Sequence, residues 1–303
     1  MKKIIYSLVI LLGLSASAQQ EPQYTQYMYN PSVINPGYAG SLGYGSLFSL
    51  YRTQWIGLEG APKTLNLSYH QPLENTNLGL GGNIVHDEIG PSTTTNLAVD
   101  VSYTIRFENE SRLAFGMKVG GQLLNIDYTK LNHYNPSDVS FRNNITNQFS
   151  PNIGAGLFYY NENSYLGLSV PMMLQTKMYD EFAYSDANRR QHFYLMGGKV
   201  YDLTYNVKFK PAFVAKMVAG APLQVDLTGN FLINEKFTVG LAYRWSAALS
   251  GLVGFKVSDR LAIGYGYDRE TTRLSNFNSG SHELFLQFDL FKINQHIETP
   301  RFF

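Results

Sequence analysis

Apolar and polar residues alternate along most of the chain, in runs of about ten residues, the length a tilted strand needs to cross a membrane. In one such run, Phe237, Val239, Leu241, Tyr243 and Trp245 fall on one face, whereas Thr238, Gly240, Ala242 and Arg244 fall on the other. The alternation recurs in runs that begin at Leu97, Leu223 and Leu261, and in a last run from Glu283 to Phe291. Side chains of a strand point alternately to its two faces. Each run therefore predicts a strand with one apolar face and one polar or small face.

The connections between these runs predict the topology. Short polar turns are expected at 74–77, 108–111, 161–164, 202–205, 234–236 and 258–260, and other connections, several of them long, at 53–61, 87–93, 126–148, 172–190, 219–222, 246–248 and 270–280. Together they join about fourteen strands, an even number as in single-chain outer-membrane barrels. Short turns of such barrels face the periplasm, so the pattern predicts that both termini are periplasmic.

A soluble β-sandwich would show the same alternation, but the composition favours a membrane barrel. Aromatic residues make up 14% of the chain, and several lie near strand ends, as in the aromatic girdles at membrane surfaces. Charged residues make up only 16%, below the usual share in soluble domains. We therefore predict an all-β fold, a transmembrane antiparallel β-barrel of outer-membrane type that spans residues 45–291.

The ends of the chain predict three further segments. Residues 1–18 have the basic start, apolar middle and Ala16-Ser17-Ala18 cleavage site of a secretory signal peptide. The chain has no cysteine, which excludes disulfides, thiolate metal sites and lipidation through an N-terminal Cys. Residues 19–44, rich in Tyr, Asn and Pro, precede the barrel; they could plug the lumen, dock a partner or lead into the first strand. Residues 292–303 form a C-terminal tail.

Few residues are arranged for chemistry. The signal peptide holds two of the 24 basic residues and none of the 23 acidic ones, so the mature chain has a formal charge of −1 and no basic stripe for nucleic acid. The group of His86, Asp87 and Glu88 is more readily a strand end than a metal or acid–base site. No nucleophile motif accompanies it, and we predict no enzyme activity, no cofactor and no metal.

Several charged residues are predicted to face the lumen. The basic ones are Arg106, Lys118, Arg244 and Lys256, and the acidic ones are Asp100 and Asp226. Such charges could line a pore or form salt bridges across a filled interior, and the sequence leaves both interpretations open. Glycines 79, 81 and 82 lie in a strand pattern without a following helix, which argues against a phosphate loop.

Three stretches resemble a known family: QYTQYMYNPSVINPGYAGS (Gln23 to Ser41), SLYRTQWIGLEGAPKTLNLSYHQP (Ser49 to Pro72) and GLGGNIVHDEIGP (Gly79 to Pro91). They resemble the PorP/SprF outer-membrane proteins of type IX secretion and gliding motility. The resemblance implies work with the type IX machinery, whose partners include periplasmic components and secreted surface adhesins. We expect assistance in export or surface anchoring of such proteins; the alternative is a passive porin-like channel for small solutes.

Candidate partner-binding residues come from the same stretches, where tyrosine and tryptophan offer rigid aromatic area with polar tips. They are Tyr24, Tyr27, Tyr29, Asn35, Pro36, Tyr38, Arg52, Trp55 and Asp87.

Overall fold

A computed structural model describes residues 24–25, 27–131, 144–174 and 191–290. Its strands are β1 (Gly45–Thr53), β2 (Lys63–Pro72), β3 (Leu78–Ile89), β4 (Ser92–Arg106), β5 (Arg112–Ile126), β6 (Ile145–Tyr160), β7 (Ser164–Val170), β8 (His192–Lys199), β9 (Tyr201–Thr204), β10 (Val207–Val218), β11 (Gln224–Ile233), β12 (Phe237–Arg244), β13 (Ala248–Lys256), β14 (Leu261–Glu270) and β15 (Ser281–Leu290). Segments β8 and β9 are interrupted at Val200, and both pair with β10. They form one wall strand, so the barrel has fourteen strands, as predicted.

The sheet closes into a ring. Every strand pairs with its neighbours in the antiparallel sense, and β1 pairs with β15 from Gly45 and Leu290 to Thr53 and His282. Closure satisfies the backbone N–H and C=O groups within the wall, which the hydrocarbon layer requires because it contains no water. The described residues include no helix long and apolar enough to cross a membrane.

The predicted strand faces are confirmed. In β12, Val239 and Leu241 are exposed on the outer surface, whereas Thr238 and Ala242 are buried inside. Large apolar side chains continue around the outside of the wall, as a lipid-facing band requires. Ala242 packs in an apolar cluster within the lumen rather than against water.

The two ends of the barrel differ in their connections. The turn end carries the β2–β3, β4–β5, β6–β7, β9–β10, β11–β12 and β13–β14 turns, and the loop end carries the other connections. One loop-end connection is shorter than predicted, because β3 continues to Ile89 and β4 starts at Ser92. Only Gly90 and Pro91 join them, and Gly90 has a φ of +55°, which glycine adopts without steric cost.

The described residues between Tyr24 and Tyr44, called the plug below, lie inside the barrel. They include two short 3₁₀ turns, Pro31–Val33 and Pro36–Tyr38, each of which starts at a proline. The plug begins beside side chains at the loop end and runs along the lumen to Gly45, at the turn end.

The described residues show where the wall begins and ends, whereas the periplasmic position of both termini stays a prediction. Gly45 and Leu290, which begin and end the wall, are paired at the turn end. Tyr24, however, lies near the loop end, because the plug crosses the lumen before the wall begins. The predicted signal peptide and the tail at 292–303 lie outside the described residues.

We expect Leu241→Arg to lower the free energy of unfolding by about 2–4 kcal/mol, because it places a charge in the lipid-facing band near the middle of β12. Denaturant unfolding in lipid vesicles measures this cost. Thr271→Arg, at an exposed position in the connection that follows β14, is the control, and we expect a change within about 0.5 kcal/mol. Equal costs at the two positions would contradict the lipid-facing placement of Leu241.

Candidate functional site

A cluster of buried charges holds the start of the plug at the loop end. Arg52 of β1 is 2% exposed and lies 2.6 Å from a carboxylate oxygen of Asp268 and 3.1 Å from one of Glu283. The backbone N–H of Thr25 donates to Glu283 (3.0 Å), and its hydroxyl donates to Asp268 (2.6 Å). Removing one member of such a buried group leaves an uncompensated charge, which typically costs about 3–5 kcal/mol. The cluster thus fastens the plug to three wall strands.

A second ion pair acts beside the first. The guanidinium of Arg244 donates to Asp226 at 2.8 Å and to the backbone carbonyl of Tyr24 at 2.9 Å. The rings of Tyr24 and Tyr27 meet edge to face, with centroids 5.4 Å apart. Arg244 was one of the inward charges whose role the sequence left open, and here it joins wall to plug.

Polar side chains line the middle of the plug. The amide of Asn30 donates to Asn66 (2.9 Å) and Ser68 (2.7 Å) of β2. Lys118 lies 3.0 Å from Asp100 and also donates to the carbonyl of Ser32 at 3.3 Å. Lys118 and Asp100 therefore form a salt bridge within a filled interior.

Glycines of the wall make room for the Asn35-Pro36-Gly37 turn. The side chain of Asn35 accepts from the N–H of Gly37 and donates to the carbonyl of Leu157, both at 2.9 Å. A methyl group on Gly116 would overlap the backbone at Pro36 and Gly37. The wall and plug backbones approach each other here more closely than any other residue would allow.

Aromatic rings supply much of the apolar contact in the lumen. Tyr29 stacks on Phe285, with centroids 4.7 Å apart. Tyr38 meets His70 at 5.1 Å and Phe158 at 5.3 Å, edge to face in both cases. Such pairs add about 0.5–1.5 kcal/mol each beyond the burial of their area. The apolar core of this protein therefore lies between the plug and the wall.

The predicted partner-binding residues are placed mostly inside this core. Buried residues are Tyr24, Tyr27, Tyr29, Asn35, Pro36, Tyr38, Arg52 and Asp87, the last of which accepts a hydrogen bond from Thr64. Trp55 is partly exposed at the loop end, and its indole N–H donates to Glu270 at 3.0 Å. In the structure, the eight buried residues contact other parts of the same chain. Their role in partner binding stays a prediction.

Some residues of the site were missed by the sequence analysis. Thr25 and Ser32 lie in the family stretch Gln23 to Ser41 but were not selected as site residues, whereas the inward position of Asp268 and Glu283 followed from the alternation in their strands. The signal that could have selected these two acids is their charge on the inward face of a strand. Such a charge inside a barrel requires a partner of opposite sign.

The side chains of His86, Asp87 and Glu88 lie on two different faces of β3. Asp87 points into the lumen, whereas His86 and Glu88 are on the other face, 3.5 Å apart. The imidazole of His86 also bonds to the hydroxyl of Thr95 at 2.8 Å. In the described parts of the chain, no group of three or more His, Asp or Glu residues is placed to hold a metal ion.

The family of the chain follows from a comparison with protein-family models. The model of the type IX secretion system membrane protein PorP/SprF matches residues 16–288. The chain belongs to the PorP/SprF family. The matched region includes the plug and nearly the whole wall, so the family pattern covers both parts of the site. The comparison with curated proteins gives no match.

Solved structures similar to this PorP/SprF protein are outer-membrane barrels. The toluene transporter TbuX of Ralstonia pickettii aligns with a TM-score of 0.51 at 8% identity, covering 87% of this chain and 92% of that one. Outer membrane protein Omp33 of Acinetobacter baumannii aligns with a TM-score of 0.48 at 7% identity, covering 82% and 98%. The alignment with TbuX shows that the two proteins share a fold. At 8% identity it shows nothing beyond the fold.

We expect Gly116→Ala to loosen the plug, because the added methyl group overlaps its backbone at Pro36 and Gly37. Overpacking of this kind costs about 1–3 kcal/mol, measurable as a fall in unfolding free energy and as faster proteolysis of the plug. Gly251→Ala is the control, since a methyl group there meets nothing within 4 Å. Equal stability and proteolysis in the two variants would argue against tight seating of the plug.

Proposed function

We propose that this protein helps to export secreted proteins, such as adhesins, or to anchor them at the cell surface, and that it performs no chemical step. The observation that carries the proposal is the plug, which fills the lumen with the chain's own N-terminal segment. Membership of the PorP/SprF family supports work with the type IX machinery. With the plug seated, the surfaces left for partners are the two ends of the barrel.

The filled lumen counts against the alternative of a passive solute channel. Plug and wall share buried ion pairs, and aromatic rings pack between them. A wide aqueous pore needs an open, hydrated interior, as in large porins. The plug residues would have to leave for such a pore to form, at the cost of exposing the charges that they cover.

The loop end offers a firm apolar surface for a partner. The backbone N–H of Ile56 donates to the carbonyl of Gly280 at 2.9 Å, and the N–H of Ser279 donates to that of Ile56 at 2.7 Å. These bonds join the loop after β1 to the loop before β15. Exposed apolar side chains project from both loops, Ile56 at 40% and Phe277 at 69% exposure. Together with Trp55 they form an apolar, partly aromatic surface, as protein-binding surfaces often do.

We propose that the loop end faces the cell exterior and the turn end faces the periplasm, as in other outer-membrane barrels. The chain has no cysteine, so single cysteines can report the orientation. We expect Asn276→Cys, in the loop before β15, to react with an impermeant thiol reagent on intact cells. Asn163→Cys, in the β6–β7 turn, should react only after lysis. The reverse pattern would invert the orientation.

We expect deletion of the gene to remove one or more secreted proteins from the cell surface, measured by comparing surface proteomes. Complementation with wild-type protein should restore them, and Trp55→Ala should restore them less well because it removes aromatic area beside Ile56 and Phe277. Trp245→Ala is the matched control and should restore them fully, since this exposed tryptophan lies at the same end of the barrel but in the β12–β13 connection.

Two results would contradict the proposal in favour of the channel. One is an unchanged surface proteome in the deletion strain, together with reduced uptake of a small solute. The other is a large, steady conductance of the wild-type protein in planar bilayers, which the seated plug should prevent.

A further inference from the structure

A cavity of about 720 Å³ opens at the turn end, beneath the plug. Its floor is the last part of the plug, from Ala39 to Tyr44, and its wall includes residues of β2, β3, β4 and β5. The volume is in the range of ordinary ligand sites. The proposed function assigns no role to this cavity.

Two arginines lie side by side on the wall of this cavity, on adjacent strands. Arg106 ends β4 and Arg112 begins β5, and the two are direct cross-strand partners. The guanidinium carbon of Arg112 lies 5.8 Å from the ring centroid of Tyr160, a cation–π contact that holds it against the wall. Like charges directly opposite each other destabilise a sheet, so this arrangement has a cost without an anion.

These arginines lack the acidic partners that three other inward cations have. Arg52, Lys118 and Arg244 each lie within 3.0 Å of a carboxylate oxygen. Neither Arg106 nor Arg112 forms an ion pair with a residue in the described ranges.

The acidic residues of the cavity rim and of the adjoining turn do not neutralise the pair directly. Glu74 lies on the rim of the cavity, and Glu108 and Glu110 are exposed in the turn that joins β4 to β5. None of the three comes within 4 Å of either guanidinium. Among the described residues the pair therefore has no acidic partner, and it lies at the mouth of a preformed cavity.

We propose that the turn-end cavity binds an acidic peptide segment of a partner protein, with Arg106 and Arg112 holding its carboxylates. Arginine forms paired hydrogen bonds with a carboxylate, and two adjacent guanidinium groups suit closely spaced acidic side chains. The remaining lining is rich in amide and hydroxyl groups, including Gln71, Asn77 and Thr104, which can bond to a peptide backbone. This inference rests on the proposed function, because it gives the partner a place to bind.

The test uses the full-length protein in lipid nanodiscs and a fluorescein-labelled Gly-Glu-Gly-Glu-Gly peptide, with fluorescence anisotropy as the readout. We expect binding that the Arg106→Gln/Arg112→Gln double variant weakens at least tenfold, about 1.4 kcal/mol. Arg260→Gln is the control, since this exposed arginine lies at the same end of the barrel but outside the cavity, and it should leave binding unchanged. The Gly-Gln-Gly-Gln-Gly peptide should bind at least tenfold more weakly to wild type.

Three outcomes would overturn the inference: equal binding of the glutamate and glutamine peptides, no effect of the double variant, or arginine-dependent binding of inorganic phosphate without binding of the peptide.

A readout in cells separates this inference from the proposed function. If gene deletion removes surface proteins while the double variant retains them, the cavity proposal fails and the proposed function stands. Loss of surface proteins in the double variant, with normal barrel assembly, supports both.

Discussion

The structure depends on the requirement that no backbone hydrogen-bonding group is left unpaired in the hydrocarbon layer of a membrane. A sheet meets this requirement when its first and last strands pair, as β1 and β15 do here. Closure then creates an outer and an inner surface, which require different kinds of side chain. The outside must be apolar, and the inside must be filled either by water or by side chains and chain of the protein itself.

This barrel fills its interior with its own N-terminal segment, and the wall is shaped for it. Small inward residues such as Gly116 and Gly156 let the backbone of the plug approach, while inward charges bond to its polar groups. Burial of a charge is costly unless a partner of opposite sign is present. The position of Arg52 between Asp268 and Glu283, with Thr25 bonded to both acids, meets this condition. The lumen thus serves as the hydrophobic core and the polar network of one domain.

The fold could be predicted from the sequence because the information that specifies it is local. Alternation between neighbouring residues gives the strand faces, as for Leu241 and Ala242, and short polar turns give the strand count. The connection at 87–93 is shorter than its polar residues predict, because these residues continue the hairpin to Gly90 and Pro91.

The site could be predicted only in part, since it depends on contacts between distant residues. The family motifs pointed to the residues of the plug and to Arg52, but not to their burial. No periodicity marks the path of the plug, and the burial of Asn35 and Tyr38 follows from wall residues far along the chain, such as Leu157 and Phe158. The alternation placed Arg106 and Lys118 on the same inner surface. It could not show that Lys118 forms a salt bridge with Asp100 or that Arg106 is the cross-strand partner of Arg112, because these pairings depend on the register between β4 and β5.

The position of the plug has a consequence for the order of assembly. The plug is joined to the wall at Gly45, the first residue of β1, and it lies along the axis that the finished ring surrounds. A ring that had already closed could admit this segment only by threading a chain with charged contacts through its mouth. No threading is needed if the N-terminal residues settle against an open, curved sheet before the seam between β1 and β15 forms. The last strand of the wall, β15, would then enclose a segment that was synthesised before any strand of the wall.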